Sequence, residues 1–151
     1  TIIFIASIIV WMLRSFDARL NLVSDAGTSL LATLGRFISP VFAPLGFNDW
    51  RAATALVTGL TAKEAVVSTL SVLTGTLDKQ ALAAALGTIF TVPAAAAFLT
   101  FTLLYTPCVA AMAAARRELG GTLPMFEMVG AQCTVAWLVA FVVYRVALIV
   151  F

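Results

Sequence analysis

Charged residues fall in small clusters along this chain, and the stretches between them are almost wholly apolar. The apolar runs are Thr1 to Leu13, Ala52 to Leu77 with one interruption, Gln80 to Ala115, and Met128 to Tyr144. Several approach or exceed the roughly 20 residues needed to cross a bilayer, so the pattern predicts membrane-spanning helices. The first run reads as the end of a transmembrane helix, closed at the water interface by Arg14, Asp17 and Arg19. It starts within an apolar stretch, with no Met and no basic segment ahead of it, which is unlike a signal peptide. The expectation is a piece of a longer protein.

Between the runs, the turn and breaker residues divide the chain. Asp25 to Ser29 forms a polar turn that offers a helix N-cap. Leu30 to Phe47 is apolar but carries Arg36, Pro40 and Pro44, a pattern that fits an interfacial or re-entrant segment better than an unbroken span. Asn48 to Arg51 is a polar hinge whose Trp50 suits the headgroup level. A helix is predicted from Ala52 to about Leu73, either continuous or interrupted at Thr58-Gly59, and Gly75 to Gln80 is a tight turn. Ala81 to Ala115 is too long for one span and holds Pro93 and Pro107, so helix breaks are predicted within a few residues of each. Arg116, Arg117, Glu118, Gly120, Gly121 and Pro124 close that unit at an interface, and Met128 to Val143 is the final span. The fold class predicted is an all-α polytopic membrane bundle of about four spans, with proline-broken or re-entrant pieces.

Composition strengthens this reading: 62% of residues are hydrophobic, 11% are charged, and the mean hydropathy is +1.08. The net charge of +2 is small, and the basic residues stand singly or as Arg116-Arg117 beside membrane segments, which suits lipid headgroups. No polybasic patch interleaved with aromatics exists, so no nucleic-acid role is expected. The chain has no histidine, no CxxC pair and no Gly-Lys-Ser/Thr string, which removes zinc-finger, HExxH, Ser-His and P-loop chemistry. Neither an enzymatic activity nor a resident cofactor is expected of this chain. Its two cysteines both sit in apolar surroundings and argue for no disulfide.

Two constellations remain that could carry chemistry. Lys63 and Glu64 are the only charges between Ala52 and Gly75. An ionisable group at the centre of a spanning helix costs roughly 2.5–3.5 kcal/mol on insertion scales, so it is expected to face protein or a water-filled path. On an unbroken helix, Thr54, Thr58, Thr61, Glu64, Ser68 and Ser71 form one polar stripe, with Lys63 on roughly the opposite face. Oxygen donors in such a stripe suit a cation path. The plainer reading is that the hydroxyls bond helix backbones and Glu64 pairs with a base elsewhere in the bundle. The second constellation is Tyr105-Thr106-Pro107-Cys108, with Met112 one turn on. Proline frees backbone carbonyls of the preceding turn, and thiolate and thioether suit late first-row metals; a kinked helix with a small buried cysteine explains the same residues. Cys133, with no proline or charge beside it, reads as packing.

The stretches Trp50 to Val67, with Thr58-Gly59 and Ala62-Lys63-Glu64, and Leu103 to Glu118, with Pro107-Cys108, resemble the C-terminal membrane region of FeoB-type ferrous iron transporters. The resemblance covers nearly the whole chain. It implies a Gate-like region over about 52–119, a final span over about 128–145, and Fe(II) as cargo across the bacterial inner membrane. It implies a permeation route through Cys108, Met112, Glu64, Thr61 and Ser68, with Pro107, Gly59, Pro93 and Lys63 at helix breaks and gates. In that family a G domain binds GTP, with Mg, and a first Gate region precedes the second; neither is in this chain, so the rest of the transporter is an expected partner and a homo-oligomer is left open. Two other readings stay open: a carrier for another small solute, and a structural or assembly subunit whose polar stripe only joins helices.

Overall fold

The computed structural model describes residues 2–17, 21–22, 26–60, 65–75, 79–105 and 108–150. Within these, eight α-helices follow one another: α1 (Ile2–Ser15), α2 (Leu30–Ile38), α3 (Trp50–Gly59), α4 (Ala65–Thr74), α5 (Lys79–Ile89), α6 (Val92–Leu104), α7 (Val109–Glu118) and α8 (Thr122–Val150). Short 3-10 turns cover Ala26–Thr28 and Ser39–Leu45. The bundle is all-α, as the apolar pattern requires.

Three helix starts have a side-chain cap. Ser29 caps α2, its hydroxyl accepting from Ala32 N–H at 3.1 Å. Asp49 caps α3 by accepting from Arg51 N–H at 2.7 Å, while the Arg36 and Arg51 guanidinium groups lie 5.2 and 5.7 Å from the Trp50 ring centre. Thr91 caps α6 and Pro93 occupies its first turn, so the predicted break near Pro93 falls just ahead of the proline.

Only α8 among the described residues is by itself long and apolar enough to cross a membrane. Two further candidates are bent pairs, 30–45 with α3 at 105° and 80–89 with α6 at 103°, so the described residues hold one to three candidate spans by length and composition. Helices α1 and α4 are apolar but short. The final helix is also longer than expected: it starts at Thr122, not Met128, and Pro124 lies in its first turn. A proline there removes an N–H that has no helical partner in any case, so it begins a helix instead of closing an interface.

The core is aromatic and small. Phe42, Phe47, Phe90, Phe98, Phe101 and Tyr105 pack in the centre, with Phe42 and Phe47 stacked at 5.2 Å between centroids and Phe90 and Phe98 tilted at 4.9 Å. Helices α6 and α8 share the most extensive helix contact; Ala94 and Ala97 on α6, and Ala136 and Ala140 on α8, are fully buried. Alanines at such a seam let backbones approach closely, which is how helices associate where lipid is as apolar as leucine. The large aliphatic and aromatic residues on the outside, such as Phe4, Trp11, Leu99, Leu103 and Ile149, are exposed, as a lipid-facing surface requires.

A second close approach joins α2 to α3. A Cβ at Gly35 would meet the Thr54 hydroxyl oxygen, and would stand 2.8 Å from the Trp50 carbonyl oxygen, which cannot swing aside. Gly87 on α5 has nothing within 4 Å of the same position. Gly35→Ala is therefore expected to destabilise the fold by about 1–3 kcal/mol, the usual effect of overpacking. Gly87→Ala should be neutral or stabilising by up to about 1 kcal/mol. Thermal unfolding of the detergent-solubilised protein measures both; equal melting temperatures for the two variants would refute the close approach.

Candidate functional site

Two interruptions of the helical chain come together in the bundle interior. Helix α3 ends at Gly59 and α4 begins at Ala65; α6 ends at Leu104 and α7 begins at Val109. The last turn of α3 tightens, with Leu60 N–H donating to Val57 O at 3.2 Å. That leaves the Leu56 carbonyl to accept from the Tyr105 hydroxyl at 3.1 Å. Val109 N–H, which as the first residue of α7 has no partner in its own helix, donates to Leu60 O at 2.9 Å. The carbonyl end of α3 and the region around the α6–α7 break thus satisfy each other's backbone groups.

Gly59 makes this junction possible. A Cβ there would collide with both the Tyr105 hydroxyl and a Val66 methyl. Tyr105 is 4% exposed, and its ring stacks on Phe101 with centroids 5.4 Å apart.

The continuous polar stripe is corrected by the break after Gly59, because residues on the two sides of it do not share one helix face. Thr54 and Thr58 are buried on α3. Thr58 shares a hydrogen bond with Thr69, oxygen to oxygen 2.9 Å, across the α3–α4 packing. Ser68, expected on the permeation route, is exposed and its hydroxyl donates back to Ala65 O at 3.2 Å. The hydroxyl that faces α3 is thus Thr69, one position on. Thr54 Oγ1 has no hydrogen-bond partner among the described residues and lines a cavity of about 10 Å³ with Arg14, Ser29 and Thr69, room for one water molecule.

Other expected site residues divide by position. Thr61, Lys63, Glu64 and Pro107 lie outside the described residues. Cys108 is the N-cap of α7, half-buried, its side chain making no capping hydrogen bond. Met112 is one turn on, its N–H donating to Cys108 O at 3.0 Å, and is also half-buried. Pro93 is buried at the start of α6. Among the described residues no three His, Cys, Asp or Glu side chains gather closely enough to hold a metal ion. The side-chain sulfur donors next to the junction are the Cys108 thiol and, one turn on, the Met112 thioether.

Sequence reasoning named Tyr105 only as the start of the proline motif and did not give its hydroxyl a role. A signal was present: a lone tyrosine in an apolar run needs a partner for its hydroxyl when buried. Tyr105→Phe keeps the ring stack and leaves the Leu56 carbonyl unsatisfied, and is expected to destabilise the protein by about 1–3 kcal/mol. Ser68→Ala removes an exposed hydroxyl and should stay within about 0.5 kcal/mol of wild type. Thermal unfolding in detergent distinguishes the two; a Tyr105→Phe variant as stable as Ser68→Ala would refute the hydrogen bond between the breaks.

Comparison with known proteins agrees with this architecture. The family described as "Gate: Nucleoside recognition" matches residues 1–122. Fe(2+) transporter FeoB of Methanocaldococcus jannaschii is 35% identical over 150 residues, covering 95% of this chain and 22% of that protein. Fe(2+) transporter FeoB of Staphylococcus aureus strain COL is 33% identical over 146 residues, covering 97% and 22%. The Fe(2+) transport protein A/Fe(2+) transporter FeoB fusion protein of Porphyromonas gingivalis is 36% identical over 137 residues, covering 82% and 16%. The chain spans about a fifth of the length of the first two relatives. No solved structure matches it. With four-fifths of its length inside the match and its two helix breaks joined at one buried junction, the chain belongs to the Gate family.

Proposed function

We propose that this chain forms part of the Fe(II) permeation path of a larger transporter in the bacterial inner membrane. The observation that carries the reading is the junction of the two helix breaks, bonded from Tyr105 to Leu56 and from Val109 to Leu60. Non-helical backbone at membrane depth is tolerated where it is buried in protein or lines a cavity, and many secondary transporters build their ion sites on helices broken in this way. The name Fe(2+) transporter FeoB carried by the relatives supplies the cargo.

In this reading Cys108, at the N-cap of α7, offers Fe(II) a soft donor, and Met112 one turn on adds a thioether. Glu64 and Thr61, which lie in sequence between α3 and α4, contribute oxygen donors, and Lys63 and Pro107 are assigned to the gates. Ser68 has no part in the path. GTP and Mg act through a G domain elsewhere in the complete protein, and this segment supplies the path and no hydrolysis. Conduction requires that each site bind the ion well enough to admit it and weakly enough to release it.

The test is Fe(II) influx into vesicles containing the full-length transporter, at matched protein abundance. Cys108→Ser is expected to lower influx roughly tenfold, the change that about 1.4 kcal/mol in ion binding produces. Cys133→Ser, which alters a packing residue, should lower it less than twofold. Fe(II) should also protect Cys108 from alkylation in the wild-type protein. Equal influx for Cys108→Ser and wild type, with no protection, would make Cys108 a packing residue and remove the thiol from the path.

A further inference from the structure

Where α7 turns into α8, the two helices enclose an open cavity of about 760 Å³, whose wall includes Met112 of the transport reading but whose arginines and α8 residues that reading does not use. Its walls combine two kinds of chemistry. Arg116 and Arg117 stand on it from the last turn of α7, while Val109, Met112, Met125 and Phe126 give it an apolar surface. Neither guanidinium makes a hydrogen bond or an ion pair among the described residues. Basic residues in the last turn of a helix are accounted for, taken alone, by the negative end of its dipole. That account does not explain why the space between them and α8 is left open and lined by methionine and phenylalanine.

We infer that this cavity is a binding site for an anionic phospholipid, its phosphate on Arg116 and Arg117 and its glycerol and upper acyl region against Met112, Met125 and Phe126. The amphipathic lining decides between sources of phosphate. A free phosphate ion would gain nothing from the thioether and phenyl wall, whereas a lipid uses both halves of the site. The position agrees: Leu123 and Phe126 are 71% and 62% exposed beside the cavity, at the start of α8, which among the described residues is the helix by itself long and apolar enough to cross a membrane. Basic pockets between membrane helices are suited to anionic headgroups for this electrostatic reason. The lipid would then bridge α7, whose N-cap is Cys108, to α8.

Replacing Phe126 by p-benzoylphenylalanine in the full-length protein, reconstituted in vesicles of equal phosphatidylglycerol and phosphatidylcholine, reports the occupant directly. After irradiation, mass spectrometry of the α8 peptide should find phosphatidylglycerol adducts well in excess of phosphatidylcholine adducts. Arg116→Gln or Arg117→Gln should each reduce that preference roughly fivefold, the effect of one basic side chain at an anionic surface. Arg145→Gln, whose guanidinium lies 5.1 Å from the Phe141 ring at the other end of α8, should leave it unchanged. Ala113→Phe, which fills the cavity and keeps both arginines, should reduce adducts of both lipids and so tests the site without removing charge. Equal capture of the two lipids, an adduct to another segment of the protein, or a preference abolished by inorganic phosphate would each overturn the inference.

Discussion

A helix that stops inside a bilayer leaves carbonyls or amides with nothing to bond to, and in an apolar medium each such group costs several kcal/mol. Among the described residues, α3 stops at Gly59 and α6 at Leu104. The two interruptions are tolerated because they meet. Leu56 O takes the Tyr105 hydroxyl and Leu60 O takes Val109 N–H. Neither break can be moved without exposing groups of the other. Their positions are therefore coupled by polar satisfaction as well as by packing, and a displacement of α7 must be felt at the end of α3.

The same device appears on the other side of the bundle. The 3-10 segment Ser39–Leu45 is interrupted by Pro44 and bends sharply toward α3. Its Val41 carbonyl accepts from Trp137 Nε1 of α8 at 3.1 Å, and the Tyr144 ring of α8 lies against Gly46. Helix α8 thus presents alanines to α6 and aromatic residues to the re-entrant segment. One long unbroken helix supports the broken ones, which cannot satisfy themselves.

Much of this was legible because helix ends have chemical signatures. Pro93 and Pro107 marked the breaks around α6, and Pro40 and Pro44 marked the bend before α3; the fold class and the discontinuous segments followed from them. The stripe from Thr54 to Ser71 misled for a definite reason. Helical periodicity assigns faces only while the helix continues, and α3 ends at Gly59. Thr69 instead of Ser68 consequently faces Thr58. Pro124 misled in the opposite direction, since a proline looks the same in sequence whether it ends a helix or occupies its first turn.

The junction also changes how the Thr58-Gly59 element should be understood. Nothing about a glycine binds a cation, yet Gly59 stands at the centre of one of the two stretches that carried the family resemblance. Its place is steric: only without a Cβ can the Tyr105 hydroxyl reach the Leu56 carbonyl past Val66. Thr58 is likewise engaged, donating to Ala55 O at 2.8 Å and sharing a bond with Thr69. Both residues hold the end of α3 in place beside the α6–α7 break. A motif read as a ligand set is in part a mounting, and its chemistry depends on the tyrosine 46 residues further along the chain.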